Sequence, residues 1–187
     1  MEDQKFEGRL SKVNKLLIVA VVAVVAVVGI YVTHNSGASS TTKAGSVASG
    51  NSIVTPNLSL SPSSQKVSQG STLTVSVWAD SSSTTVNAVQ ANLSYPANLL
   101  TYSSIDTSGS AFGVTAQATG GNGKVQIARG NATAISGKLL IAKVNFKAAT
   151  NKGTAAITFT TGTALAGYTT NKDTLKSTYG GSYTLTR

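Results

Sequence analysis

Between Asn57 and Thr186 the chain falls into short runs in which apolar and polar residues alternate, each closed by Gly, Pro, Asn, Asp or Ser. Successive side chains of an extended strand point to opposite faces, so a period of two gives one buried and one outward face. Nine such runs can be read: NLSLSP, STLTVSVWAD, NAVQANLSYP, LLTYSSI, GVTAQAT, KVQIARG, KLLIAKVNFKA, GTAAITFTT and GSYTLT. Their spacing predicts an all-β sandwich of about nine strands. No helix-length pattern interrupts them between residues 52 and 187.

The alternation also predicts which faces are buried. Leu73, Val75, Val77 and Ala79 share one parity, as do Leu140, Ala142, Val144 and Phe146, and then Ala155, Ile157 and Phe159. Tyr95 and Tyr102 are expected in the same core, and Tyr168, Tyr179 and Tyr183 in loop or closing-strand packing. Gly120, Gly121, Asn122 and Gly123 suit the positive φ of a hairpin turn joining two of the runs. A domain of about 136 residues buries roughly two thirds of its unfolded surface, enough for one core without staples. The chain has no cysteine, so no disulfide framework or thiolate chemistry is available.

Ahead of this domain, Leu16 to Val32 is 17 uninterrupted apolar residues. As a helix it rises about 25 Å, nearly the thickness of a hydrocarbon core. Arg9, Lys12 and Lys15 crowd its N-terminal flank, which predicts an N-inside, single-pass topology. The run is longer than the apolar region of a signal peptide, which favours an uncleaved signal anchor; the alternative is cleavage after Ala38. Residues 1–15 read as a cytoplasmic tail, 16–32 as the transmembrane helix, 33–52 as a Ser/Thr/Gly linker and 53–187 as the domain. The expected location is the cell membrane, with the C-terminal domain outside.

Chemistry is sparse. The net charge is +9, and beyond Asn51 ten Lys and Arg face three Asp, spread without a dense basic run. That excess serves solubility or attraction to anionic surfaces, and no nucleic-acid partner is expected. Asp80, Asp106 and Asp173 sit at strand ends or loops, where capping a turn is the plain reading and a catalytic pair is disfavoured. Asn171, Asp173 and Thr174 fall short of the oxygen ligands calcium takes, so neither metal nor cofactor is implied. Neither histidine nor cysteine lies in the domain to support acid–base or nucleophilic catalysis, and the expectation is a non-enzyme.

VQANLSYPANLLTY, Val89 to Tyr102, resembles the cohesin pattern of an alternating strand ending in Leu-Ser-Tyr, a Pro-containing turn, then Leu and Tyr. STLTVSVWA is similar to the family's early Val-rich strand. GKVQIARGNATAISGKLLIAKVNFKA is similar to its late strand, loop and Leu/Phe strand, and GGSYTLT to its closing strand. The resemblance covers about Val54 to Thr186 and implies a jelly-roll sandwich, a scaffold that cohesins share with several carbohydrate-binding modules. It further implies that the strand matching Val89 to Tyr95 contributes polar side chains to dockerin binding. An aspartate commonly stands where this chain has Gln90, so the resemblance implies a cohesin scaffold with a different partner.

The outward parities supply the candidate binding residues. Gln90 and Asn92, with Ser94, form an uncharged stripe expected to point at solvent or a partner. Lys143, Asn145 and Lys147 occupy the outward parity of their strand and are candidates to join Gln90 and Asn92 in one polar, basic face. Trp78, opposite in parity to Val75 and Val77, is expected to point outward, where an indole stacks on a sugar or a partner; the alternative is packing under a loop or edge strand. Three functions follow as expectations: recognition of a surface protein, dockerin-like or part of an envelope complex; binding of a wall polysaccharide; or a structural role in a surface assembly.

Overall fold

The computed structural model describes residues 55–187. The expected tail, transmembrane helix and linker therefore lie outside the described residues. In chain order the strands are β1 (Asn57–Ser61), β2 (Ser64–Ser68), β3 (Thr72–Asp80), β4 (Val86–Ser94), β5 (Leu100–Asp106), β6 (Val114–Gly121), β7 (Lys124–Ile135), β8 (Lys138–Ala148), β9 (Gly153–Phe159), β10 (Ala164–Gly167), β11 (Ser177–Tyr179) and β12 (Gly181–Thr186). Among the described residues no helix is long and apolar enough to cross a membrane.

The nine predicted runs are all strands, and β2, β10 and β11 are added to them. Each addition lacks the alternation that marks the others. β2 buries only Val67, β10 is buried at all four positions, and β11 is three residues long. The first sheet has the order β11–β1–β3–β8–β5. The second has seven strands, ordered β2–β12–β9–β4–β7–β6 with β10 also paired to β4.

Apolar side chains from the facing sides of both sheets make one core. The predicted parity of β3 holds without exception: Leu73, Val75, Val77 and Ala79 are fully buried. β8 departs from prediction. Its register against β3 shifts so that Val77 faces Ala142 while Trp78 faces Leu140, leaving Ile141 as an extra residue. A bulge of this kind reverses side-chain parity. Leu139 and Ile141 are therefore buried and Leu140 is turned to the outer face, whereas Ala142, Val144 and Phe146 stay inside as expected.

The β6–β7 hairpin forms as predicted. Gly121 pairs with Lys124 across a two-residue turn in which Asn122 and Gly123 have φ of 51° and 79°. Two consecutive positive φ values are what a type I′ turn requires. One residue earlier, a Cβ on Gly120 would stand 2.4 Å from the ring of Tyr102, so that glycine lets the β5 tyrosine close the open edge between the sheets.

Tyr183 is fully buried on β12, and its hydroxyl donates to the Pro62 carbonyl at 2.7 Å, tying the last strand to the crossing between β1 and β2. Gly181 makes room for it, because a Cβ there would lie 2.3 Å from the phenol oxygen. Burial pushes the Tyr183 hydroxyl up to about 12 from an ordinary value of 10.0. The folded state thus favours the neutral phenol. Its contribution is complete below pH 10 and is lost as pH rises towards about 12. Tyr183→Phe is expected to lower stability by about 1 kcal/mol at neutral pH and to flatten the alkaline loss, both read from urea midpoints across pH.

Candidate binding interface

The two outward sheet faces carry the candidate residues, and the register assigns each to one of them. On the first sheet Thr74 stands opposite Asn145, Ser76 opposite Lys143 and Thr72 opposite Lys147. Trp78 belongs to the same face, between Ser59 of β1 and Leu140 of β8. On the second sheet Gln90 stands between Ala128 of β7 and Ala164 of β10, and Asn92 stands opposite Gln126. The two sets therefore lie on opposite sides of the sandwich. The expectation that Lys143, Asn145 and Lys147 join Gln90 and Asn92 in one contact face is corrected: β8 and β4 belong to different sheets.

On the first sheet, Thr74 donates to Asn145 Oδ1 at 2.7 Å and Asn145 Nδ2 donates to Ser104 at 3.0 Å, a polar chain across three strands. Trp78 points outward and is half-buried, with Lys138 Nζ 5.3 Å from its ring centroid. An exposed cation over an indole contributes about 0.5–1 kcal/mol. Tyr179, expected to pack, is instead 58% exposed on the edge strand β11, and Tyr168 is 41% exposed. A three-residue strand has no readable parity of its own, so the position of Tyr179 becomes legible only through pairing with β1.

The second sheet is built differently. β9 pairs with β4 at Leu93 and Ser94, and β10 continues along the same side of β4 from Gln90 to Val86. The intervening residues, Thr160 to Thr163, bulge out, and Asn92 holds them. Its backbone N–H donates to Thr163 Oγ1 at 3.2 Å, its Nδ2 donates to the Thr161 carbonyl at 3.1 Å, and its carbonyl accepts from Thr160 N at 2.9 Å. A Cβ on Gly162 would come within 2.8 Å of Asn92 Nδ2. Asn92 is thus a clamp for the bulge, which forms one lip of a depression of about 280 Å³ whose other polar walls are Ser94, Lys124 and Gln126.

Gln90 has the outward parity predicted for it but not the predicted exposure, being only 4% exposed. With alanines on both flanking strands, its side chain lies along β4 and Nε2 donates to Asn92 Oδ1 at 2.6 Å. The small neighbours Ala88, Ala128 and Ala166 form a second apolar cluster beside it. Its Oε1 is buried with no hydrogen-bond partner among the described residues. A buried amide oxygen left this way is unfavourable by about 1–3 kcal/mol.

All three aspartates of the domain serve the backbone. Asp80 Oδ1 accepts from Ser82 N at 2.9 Å and Asp106 Oδ1 from Ser108 N at 2.8 Å. Asp173 Oδ1 accepts from Leu165 N at 3.0 Å and Leu175 N at 2.9 Å. The Ser108 hydrogen bonds, chiefly, and the charge of Lys143 hold Asp106 below the usual carboxylate range. Among the described residues no group of three or more His, Cys, Asp or Glu is gathered in the manner of a metal site.

A sandwich whose carboxylates cap turns, and whose unengaged polar and aromatic groups stand on broad sheet faces, has the architecture of a binding module. The family model for the cohesin domain matches residues 56–184, and the chain belongs to that family. Cohesin domains mediate protein–protein binding without catalysis. The fold is shared with a cohesin from Clostridium acetobutylicum, 21% identical, with a TM-score of 0.59 over 72% of this chain and 94% of that one. A non-cellulosomal cohesin from the hyperthermophilic archaeon Archaeoglobus fulgidus is 19% identical, with a TM-score of 0.57 over 72% and 93% of the two chains. A type I cohesin from Clostridium thermocellum, solved in complex with a dockerin, is 9% identical, with a TM-score of 0.57 over 74% and 98%. No curated protein matches the sequence.

Proposed function

We propose that this chain is a membrane-anchored cohesin that recognises a dockerin-like protein module through the outer face of its second sheet. The observation that carries the reading is the polar depression on this face: Asn92, Ser94, Lys124 and Gln126 line it on the outward parity of β4 and β7, beside a layer of small residues in which Gln90 is buried. The amide and the alanines are covered by their neighbours, so a partner would meet the exposed Lys124 and Gln126 and the half-buried Asn92 and Ser94, which offer amide, hydroxyl and ammonium groups. The C. thermocellum relative seen with a dockerin supports the class of partner. A neutral glutamine, at the position where cellulosomal cohesins commonly have an aspartate, supplies no charge for a basic group of a partner. Leu16 to Val32, with Arg9, Lys12 and Lys15 before it, supports a single-pass, N-inside anchor that displays the domain outside the cell.

The test is capture of envelope proteins on the immobilised full-length chain, with the captured protein identified and its affinity measured. A protein carrying a dockerin-type module is expected. Gln126→Arg places a long charged side chain at the exposed edge of the depression and is expected to weaken binding at least about tenfold while leaving the urea midpoint unchanged. Lys147→Glu, on the opposite side, is expected to leave it within about twofold. Loss with Lys147→Glu and retention with Gln126→Arg would place the interface on the other sheet and overturn the reading. The anchor is tested separately: alkaline carbonate should leave the chain in the membrane fraction, and its release would exclude the proposed span.

A further inference from the structure

We infer that the outer face of the first sheet is a second binding site, for an acidic polysaccharide, centred on Trp78 and Tyr179. Neither residue takes part in the second-sheet face proposed for the protein partner. Tyr179 is in register with Ser59 on β1, and Ser59 with Trp78 on β3, so the two aromatics stand in one row across the sheet with a serine between them. Two interstrand spacings separate them by about 10 Å. The Tyr179 hydroxyl accepts from Ser177 Oγ at 3.3 Å, two residues back on the same side of β11, which lays the ring along its strand. Two aromatics with a low gap between them match successive sugar rings, whose C–H faces stack on π surfaces.

The surroundings favour a glycan over a protein. Tyr179 is 58% exposed on an edge strand and Trp78 half-buried, so the row is shallow and open, as a polysaccharide chain lying across it requires. Ser59 lies within the row and Ser76 two residues further along β3 on the same face, and both offer hydroxyl groups to sugar hydroxyls. The charge favours an acidic sugar. Lys138 Nζ lies over the Trp78 ring, 5.3 Å from its centroid, so a sugar stacking there displaces the flexible ammonium to its own edge, where a carboxylate meets it, and Lys143 and Lys147 extend the same face. The nearby Asp80 and Asp106 carboxylates each accept a backbone N–H of their own turn.

Affinity electrophoresis of the full-length chain in mild detergent tests this, using gels containing polygalacturonate or, in parallel, uncharged hydroxyethylcellulose. Polygalacturonate is expected to retard the wild type more strongly. Trp78→Ala and Tyr179→Ala are each expected to weaken that retardation about tenfold, and Tyr179→Phe to preserve it. Tyr179 is exposed enough that its alanine variant should keep the wild-type urea midpoint. Retardation that survives both aromatic substitutions but disappears with Lys138→Ala would reveal charge attraction alone and overturn the proposal. Absence of retardation by polygalacturonate, or stronger retardation by the neutral polymer, would overturn it equally. So would a protein partner lost in both alanine variants when neither glycan binds.

Discussion

Phe146→Ala is expected to destabilise the domain by about 4 kcal/mol, a large share of the stability of a single domain. Phe146 is fully buried on β8 of the first sheet, and its ring meets Tyr95, which follows β4 of the second, at 5.0 Å and 63° in an edge-to-face contact. The pair spans the sandwich. Leu73 and Tyr102 stand opposite Phe146 on the two flanking strands, so truncation opens a cavity with walls from both sheets. Such walls belong to hydrogen-bonded strands and relax only in part. The edge-to-face contact adds about 1 kcal/mol to the lost burial. Phe146→Leu, which keeps most of the volume, is expected to lose about 1–2 kcal/mol, and urea midpoints order the three proteins. Equal midpoints for Phe146→Ala and Phe146→Leu would mean that the site collapses freely and that the contact does not join the sheets.

The buried half of this core was legible because alternation is a local property. Leu73 to Ala79 needed no knowledge of their neighbours to be placed inside. What local pattern could not supply was sheet membership. Lys143, Asn145 and Lys147 carry the same outward signature as Gln90 and Asn92, yet they emerge on opposite sides because β8 pairs with β3 and β5 while β4 pairs with β7, β9 and β10. Parity was also reversed at Ile141, where one inserted residue turned Leu140 outward. Gln90 shows a further limit. Outward direction equals exposure only when neighbours leave room, and here the flanking alanines let the amide lie down beside Asn92.

The same distinction separates the two faces as binding surfaces. The second-sheet face is a polar depression rimmed by Asn92, Lys124 and Gln126 beside a buried layer of alanines and one amide. The first-sheet face is a row of half-buried and exposed aromatics with lysines on the neighbouring positions. Because the core lies between them, substitutions on the two faces share no side-chain contact and their effects should add. The single variants Gln126→Arg and Tyr179→Ala therefore separate protein recognition from glycan recognition, and the double variant should show both losses and no more.

Arg129 gives the second large effect, and its position could not be recognised from composition. It follows Val125 and Ile127 on the inward parity of β7, in register with Val89 and Thr115, and is only 4% exposed. No aspartate is opposite it. The guanidinium instead donates to Thr115 Oγ1 and to the Phe112 carbonyl, while Nε has no partner among the described residues. Burial pulls its pKa below the ordinary arginine value. The charge is therefore held by neutral acceptors, and it fixes the segment that carries the fully buried Phe112 onto the sandwich. Arg129→Ala removes both hydrogen bonds, leaves the Phe112 carbonyl without that donor and opens a cavity, an expected loss of about 3 kcal/mol. Arg129→Met keeps the aliphatic stem and relieves the buried charge, so its loss should be about half as large. Urea unfolding followed by tryptophan fluorescence measures both. A methionine variant less stable than the alanine variant would contradict this account, because packing and charge relief would then favour the wrong side chain.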